Sequence, residues 1–369
     1  MSDVRLSVHL MVRDAAGVVG RAIRSAAAGL PVRELEVCYV DTGSTDDTPE
    51  VIRRECATLG VSCSGVAVSP TSRPDLFFRD VPGSYGCYQA MVPSFTRRYY
   101  LRDWAAARNL GLELCRGRYV LKLDADDELV DPSNLPAVLD HLDREGREIM
   151  VAPYEVMDRA FQPQVEYVTL QTRIWRRDPG VYFREVCHEN VDWRRAPDGS
   201  NWVLAPSGFV ARDHRDAQLI RDPYRNYKVL LREYASRILQ LQLPSDHLVI
   251  YLADEAAEVS PELANDLCSV LEAKTQHPTD EAWVCAIRAR AFRNLGAREL
   301  AMSEYARSAE LGFPRSALLP LLEWPHPGDR EWEERLRASA AANAGGFYPL
   351  CASRAELRRA REYLGGDRG

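Results

Sequence analysis

An apolar run that ends abruptly in acid places the tightest constraint on this chain. In the stretch RYVLKLDADDELVDP, residues 118–132, Tyr119 to Leu123 reads as a buried strand, and Asp124, Asp126, Asp127 and Glu128 follow at once. Clustered carboxylates repel one another, so such a turn calls for positive charge among them. Two carboxylates one residue apart at a strand tip can hold a divalent cation, and hard cations of that kind also bind phosphates. The plainer alternative is a solvated acidic turn before a helix that Asp131 caps ahead of Pro132.

A strand of this type belongs to a larger sheet, and the first half of the chain supplies one. Leu6 to Val12 reads as a strand, and Ala15 to Leu30 places Val18, Val19, Ala22, Ile23, Ala26 and Leu30 at helical spacing. Glu34 to Val40 is again a strand, followed by a helix opened by Pro49, a strand from Gly65 to Ser69 and a helix from Trp104 to Cys115 capped by Asp103. Strand alternating with helix predicts an α/β domain whose parallel or mixed sheet is covered on both faces. Ligands of such sheets bind beyond the carboxyl ends of the strands, where Asp41 and Asp124 both fall. Residues 70–102 interrupt the alternation with Phe77, Phe78, Tyr85, Tyr88, Phe95, Tyr99 and Tyr100, an aromatic content that predicts an ordered flap.

From about Tyr224 the pattern becomes continuously helical, so the expected domains are residues 1–223 and an all-α region, residues 224–369. Within it Ala289, Phe292, Gly296, Ala301, Tyr305 and Ser308 match one tetratricopeptide-type hairpin, about residues 282–314. Leu321 to Arg330, with Pro325, Pro327 and Gly328, reads as a linker to a terminal helical segment.

Composition narrows the function classes. The N-terminus, with Asp3 and Arg5, lacks the apolar core of a signal peptide, and no run approaches the roughly 18 apolar residues of a membrane span, so the expectation is a cytoplasmic protein without stable membrane insertion. Nine cysteines at irregular spacing, without a C-x-x-C pair, fit neither a disulfide framework nor a zinc ribbon. Cys187 beside His188 has no partner cysteines at zinc-ligand spacing. Arginine supplies nearly all positive charge, with lysine at 122, 228 and 274 only. A net charge of -7 argues against broad electrostatic binding to nucleic acid and leaves room for a local arginine-lined groove.

A second motif, VCYVDTGSTDDTPEVI at residues 37–52, delivers Asp41 into a turn containing Gly43 and Ser44 before a helix. Backbone N–H groups and a carboxylate at a strand tip suit a nucleotide, while a tight structural turn is the alternative. The motif is neither a phosphate-binding GK[ST] loop nor a G-x-G-x-x-G fingerprint.

Taken in order, LSVHLMVRDAAGVVGRAIRSA, VDTGSTDDT, DWAAARNLGLELCRGRYVLKLDADDEL and CHENV resemble a family 2 glycosyltransferase of the GT-A fold, over roughly residues 4–230. The likeness is closest to the branch with tetratricopeptide-like helices after the catalytic domain. It implies a GT-A type α/β domain followed by an all-α C-terminal region, and a metal-dependent inverting transfer of a sugar from a nucleotide-sugar donor, usually a UDP-sugar. Carried over by position, Val12 at the end of the first strand, with Asp41, Gly43 and Ser44, would hold the nucleotide, and Arg108 and Asn109 would approach it or its phosphates, with Asp103 nearby. Arg13 and Asp14 stand where the family commonly has an Asn-Glu pair, which leaves base contacts there open. Asp124, Ala125 and Asp126 form the D-x-D motif, with Asp124 and Asp126 on Mn2+ or Mg2+ and His214, or else His188, completing the shell. Glu189 is the expected base that removes the acceptor proton, with Glu185 in reserve. Arg212, Arg215 and Arg221 could clamp the diphosphate.

The acceptor is not written in these motifs. Stacked helical hairpins tend to form concave protein-binding surfaces, which favours a peptide or protein acceptor, or a homodimer through the helical region. A natural-product hydroxyl and a hydroxymethylated DNA base of phage type stay open. Other classes are a catalytically silent nucleotide-sugar-binding scaffold and a nucleotidyltransferase, whose lysine-bearing Gly-rich loop is missing.

Overall fold

The computed structural model describes residues 4–80, 99–157, 165–178, 180–191, 201–214, 222, 224–274 and 278–313, with scattered positions between 316 and 338. Two compact units divide the chain: Met1–Arg79 with Tyr99–Arg221, and Asp80–Arg98 with Asp222–Gly369. The linker and terminal segment expected beyond residue 320 lie almost wholly outside the described residues, as does the centre of the aromatic insertion, residues 81–98.

The first unit runs β1 (Leu6–Val12), α1 (Val19–Ala27), β2 (Leu35–Asp41), α2 (Thr48–Leu59), β3 (Ser62–Ala67), β4 (Phe77–Arg79), β5 (Tyr99–Leu101), α3 (Trp104–Leu112), β6 (Tyr119–Asp124) and β7 (Asp127–Leu129). It continues with α4 (Leu135–Arg144), β8 (Ile149–Met157), β9 (Val165–Arg176), β10 (Phe183–Arg184), β11 (Asn190–Val191), β12 (Trp202–Leu204) and β13 (Ala211–Asp213). One sheet joins nine strands in the order β3-β2-β1-β6-β9-β8-β13-β7, with β12 also on β8. Strands β1, β2, β3 and β6 are parallel, and β9 enters antiparallel to both β6 and β8, so the sheet is mixed. β1 and β2 are buried along nearly their whole length and are mostly apolar, with Ser7, His9, Glu36 and Asp41 as buried polar exceptions. The outer strand β3 is exposed or half-exposed at every position and built mostly of small residues.

The first helix is shorter than its spacing predicts. Residues 15 and 16 are drawn into a loop instead, because the Ala15 N–H donates to Thr48 Oγ1 at 2.7 Å and the Ala16 N–H to Asp46 Oδ2 at 3.0 Å. Asp103 caps α3 as expected, its Oδ1 accepting from the Ala106 N–H at 2.8 Å. The insertion begins and ends as a hairpin, β4 paired antiparallel with β5, with Phe78 stacked on Tyr100.

The second unit contains α5 (Arg225–Leu239), α6 (Asp246–Val259), α7 (Pro261–Glu272), α8 (Pro278–Asn294) and α9 (Arg298–Glu310). Ala289 on α8 packs against Ala301 and Tyr305 on α9, and Gly296 turns the chain between them with φ 75°. Among its described residues Lys228 is fully buried and lies between Asp80 at 3.0 Å and Asp222 at 2.9 Å. The architecture is the expected α/β domain built on a mixed sheet, followed by an all-α region. Among the described residues, no helix is long and apolar enough to cross a membrane.

α3 reaches the sheet over a buried histidine. His9 on β1 places Nε2 2.9 Å from the Arg108 carbonyl, and because a carbonyl only accepts, this nitrogen carries the proton. Gly111 is required there, since a Cβ would lie 2.8 Å from His9 Nε2. Burial, and then the positive charge of Arg108, push the imidazole pKa from 6.5 to about 3. The folded protein therefore refuses a proton that the unfolded chain accepts, so this contribution is whole above pH 6.5 and is lost as pH falls from there towards 3. Urea unfolding of wild type and His9→Gln between pH 7 and 5 is expected to show a slope of up to about 1.4 kcal/mol per pH unit that the variant lacks.

Candidate active site at the carboxyl edge of the sheet

The register brings the two acidic strand tips together. Val12 pairs with Asp41 on one side of β1 and Met11 with Asp124 on the other, so the two motifs end one residue step apart. The loop after β1 is sewn onto the loop after β2. Asp14, with left-handed backbone at φ 49°, accepts the Thr45 N–H on Oδ1 at 2.7 Å and donates its own N–H to Ser44 Oγ at 3.0 Å. Ser44 in turn donates N–H and Oγ–H to Asp41 Oδ1 at 2.9 and 2.7 Å, while Gly43 takes the φ of 91° that the turn needs. Arg13 leans on Asp14, Nε to Oδ2 at 3.8 Å. The pair at 13 and 14 thus shapes the loop in which Asp41 lies nearly buried.

Arg108 occupies the centre of the site. Its side chain is 2% exposed, with Nε 2.5 Å from Glu189 Oε1 and Nη2 2.5 Å from Asp124 Oδ1. Lys122 Nζ lies 3.6 Å from the same Glu189 oxygen, and both cations rest over the Phe183 ring, at 5.6 Å and 5.9 Å from its centroid. A buried arginine and a partly buried lysine thus face two carboxylates. Burial raises the Glu189 pKa, but Arg108 and Lys122 outweigh it and hold the group below the ordinary carboxylate range. Burial likewise opposes the ionised form of Asp124, and Arg108, Lys122 and Arg173 carry its pKa far down. Lys122 is pushed below the usual lysine range by burial and by Arg108. Asn109, beside Arg108, clamps β10: its Nδ2 donates to the Phe183 carbonyl at 3.0 Å and its Oδ1 accepts the Phe183 N–H at 2.8 Å.

The acidic turn divides into two groups. Asp127 is fully buried and accepts from Arg173 Nη1 at 2.9 Å, Tyr154 Oη at 2.8 Å and the Asp124 N–H at 2.8 Å. Arg173 lies 3.9 Å over the Tyr154 ring. Burial, together with Asp124 and Asp126, raises Asp127 to a pKa of about 6 against the pull of Arg173. Both oxygens of Asp127 are thereby committed to holding the turn. Asp126, Asp127 and Asp213 offer carboxylate oxygens within 4.8 Å of one another, and Arg21 from α1 donates to the Asp126 carbonyl at 3.1 Å. Ala125 is buried between the two aspartates of the motif.

This grouping differs from the ligand set expected from sequence. Asp124 faces Arg108, and His214 Nε2 lies 2.6 Å from Glu128 Oε2, while Asp213, one residue earlier, joins Asp126. β13 pairs antiparallel with β7, Asp213 opposite Asp127, and His214 follows the last residue of that strand. Glu185 and His188 occupy the turn between β10 and β11 with φ of 73° and 56°, and Glu189 closes that turn. Arg212 pairs with Glu155 at 2.6 Å, and Arg215 and Arg221 lie outside the described residues. Sequence reasoning missed Asp213, Arg173 and Lys122, and gave Asp127 no role beyond membership of the acidic turn. Of the three, only Lys122 carried a signal, as one of few lysines in an arginine-rich chain and inside an apolar strand.

Residues 95–188, 94 of the 369, match the family model described as Glycosyl transferase family 2. That match makes the chain a glycosyltransferase. No curated protein matches at a significant level. Among solved structures, S. aureus TarS 1-349 in complex with UDP-GlcNAc is 16% identical, covering 94% of this chain and 93% of that one, with a TM-score of 0.39. The mannosyltransferase PcManGT from Pyrobaculum calidifontis in complex with GDP-Man and Mn2+ is 17% identical over 92% of this chain and 87% of that one, with a TM-score of 0.42. Glucosyl-3-phosphoglycerate synthase from Mycobacterium tuberculosis with Mn2+, UDP and glucosyl-3-phosphoglycerate is 21% identical over 41% and 44%, with a TM-score of 0.25. Identities and scores this low carry no argument about what this chain binds.

Truncating Arg108 leaves the buried Glu189 and the half-buried Asp124 facing a single lysine. Arg108→Met is expected to lower unfolding stability in urea by about 3–5 kcal/mol. Adding Glu189→Gln to it should return part of that loss, because one stranded charge disappears.

Proposed function

We propose that this chain is a divalent-metal-dependent, inverting glycosyltransferase that moves a sugar from a nucleotide-sugar donor, in the first instance a UDP-sugar, to a hydroxyl or other nucleophile of an acceptor. The observation that carries the reading is the approach of Asp126 and Asp213 beside Asp127 at the same sheet edge as the Asp41 loop. Mn2+ or Mg2+ takes oxygen ligands, and Mg2+ in particular is commonly held by one or two carboxylates, with substrate phosphates and water completing the shell. With Asp127 committed to Arg173 and Tyr154, Asp126 and Asp213 are the residues that would hold the ion. Bound there, the metal would supply electrostatic stabilisation to the departing diphosphate. The loop of Val12, Arg13, Asp14, Asp41, Gly43 and Ser44 would receive the nucleoside.

An inverting transfer also needs a carboxylate to take the acceptor proton as the acceptor attacks opposite the leaving group. Glu189 is assigned that role, and the Arg108–Lys122 pair keeps it ionised, the state in which a base starts. The same pairing weakens its proton affinity. Glu185, half-buried with left-handed backbone on the same turn, is therefore the second reading. Asp103 acts on the site through the cap of α3. The tetratricopeptide-type reading of α8 and α9 favours a peptide or protein acceptor, with a small natural product or a modified DNA base as alternatives. A catalytically silent scaffold would bind the same donor without consuming it.

Donor consumption should be followed across UDP-, GDP- and dTDP-sugars with Mn2+ or Mg2+. Wild type is expected to consume one donor class in a metal-dependent way, and Asp126→Asn to lose roughly a hundredfold or more while melting within a few degrees of wild type. Undiminished turnover in Asp126→Asn removes the metal from the reading; binding without turnover in wild type favours the scaffold. A comparable loss in Glu189→Gln with Glu185→Gln unaffected assigns the base, and the reverse pattern transfers the role to Glu185.

A further inference from the structure

Helix α5 ends on an uncommon residue. The Gln242 N–H donates to the Arg237 carbonyl at 2.8 Å and the Leu241 N–H to the Ile238 carbonyl at 3.0 Å, the double closure of a Schellman cap. That cap places the residue after the helix in left-handed backbone, where glycine is the ordinary choice because a Cβ is penalised. Here the residue is Leu241, at φ 57°. Its side chain gains no burial in return. Leu241 is 96% exposed, with Leu239 at 84%, Leu243 at 87% and Ile238 at 48% around it. A bulky residue at a left-handed position and a cluster of bare leucines are each unfavourable alone, and their coincidence marks a surface selected for a partner.

We propose that this tip joins two copies of the chain about a two-fold axis at Leu241. A two-fold contact has to be self-complementary, each residue meeting the one that mirrors it. The sequence Leu239-Gln240-Leu241-Gln242-Leu243 reads identically in both directions about its centre. Leu241 then meets Leu241 of the second copy, each Leu239 meets a Leu243, and each Gln240 amide faces a Gln242 amide. The flanks complement one another too. Residues 238–245 carry no charge, Arg237 precedes them and Asp246 follows, so antiparallel alignment sets Arg237 of one copy opposite Ser245 of the other, one residue from its Asp246. Both charges are already at the surface, Arg237 on Glu233 at 2.9 Å and Asp246 on Lys274 at 3.1 Å. The absence of basic residues from the tip itself favours a second copy over an anionic lipid surface. Four side chains fall short of the roughly 800 Å² per partner of a standard interface, so the dimer is weak and concentration-dependent.

Sedimentation velocity on the full chain, from micromolar to submillimolar concentration, tests this. Wild type is expected to pass from monomer to dimer, and Leu241→Asp to stay monomeric throughout. Leu241→Gly is expected to raise the dissociation constant at least tenfold with an unchanged or higher melting temperature, because glycine suits the left-handed position. That second variant separates a lost contact from a damaged fold. A wild type that is monomeric at every concentration overturns the proposal, as does a Leu241→Gly variant that dimerises as wild type does. Wild type that floats with phosphatidylcholine–phosphatidylglycerol vesicles while remaining monomeric also overturns it, and gives the tip to lipid.

Discussion

A single buried guanidinium ties together segments that lie far apart along the chain. Arg108 on α3 reaches Asp124 at the tip of β6 and Glu189 before β11, sixteen and eighty-one residues away. Buried as they are, Glu189 alone would be costly to keep ionised, and so would the arginine; with Asp124 and Lys122 they form a balanced cluster. His9 beneath it stays neutral because it is fully buried and, secondly, because a further positive charge there would lie against Arg108. The loops that form the site therefore take their positions from one shared charge balance rather than from hydrophobic packing alone.

The acidic turn obeys the same logic. Its carboxylates do different work because each meets a different neighbour. Asp124 completes the Arg108 cluster, and Asp127 fixes the turn through Arg173, Tyr154 and the Asp124 N–H. Asp126, with Asp213 from β13, makes up the part of the cluster suited to a cation. Holding Asp126 in place requires the fixed backbone that Asp127 provides, so a fully buried ion pair one position away shapes the candidate metal site without joining it.

Much of this was legible in the sequence, and the limits have a physical cause. The apolar runs of β1, β2 and β6 and the aspartates that end β2 and β6 are local signals, and the parallel register that aligns them follows from strand–helix alternation. The cap at Asp103 is equally local. The partners are not. Arg108 reads as a phosphate-facing arginine until α3 is docked on β1, and Asp213 is invisible until β13 pairs with β7 some eighty residues from its place in the chain. His214 was the ligand expected from sequence; in the structure its Nε2 meets Glu128, while Asp213, the last residue of β13, stands with Asp126 and Asp127. Leu241 could not be singled out from sequence, because its left-handed backbone appears only once α5 is seen to end there.

The central claim is that carboxylates alone, Asp126 and Asp213, supply the protein's share of a cation site at the sheet edge. Calorimetric titration of Mn2+ into the protein in the presence of UDP tests it most directly, with Asp213→Asn set beside His214→Gln. The account predicts one Mn2+ site whose affinity falls at least tenfold in Asp213→Asn and changes little in His214→Gln. Affinity lost in His214→Gln and kept in Asp213→Asn, or no Mn2+ binding by wild type, would contradict it.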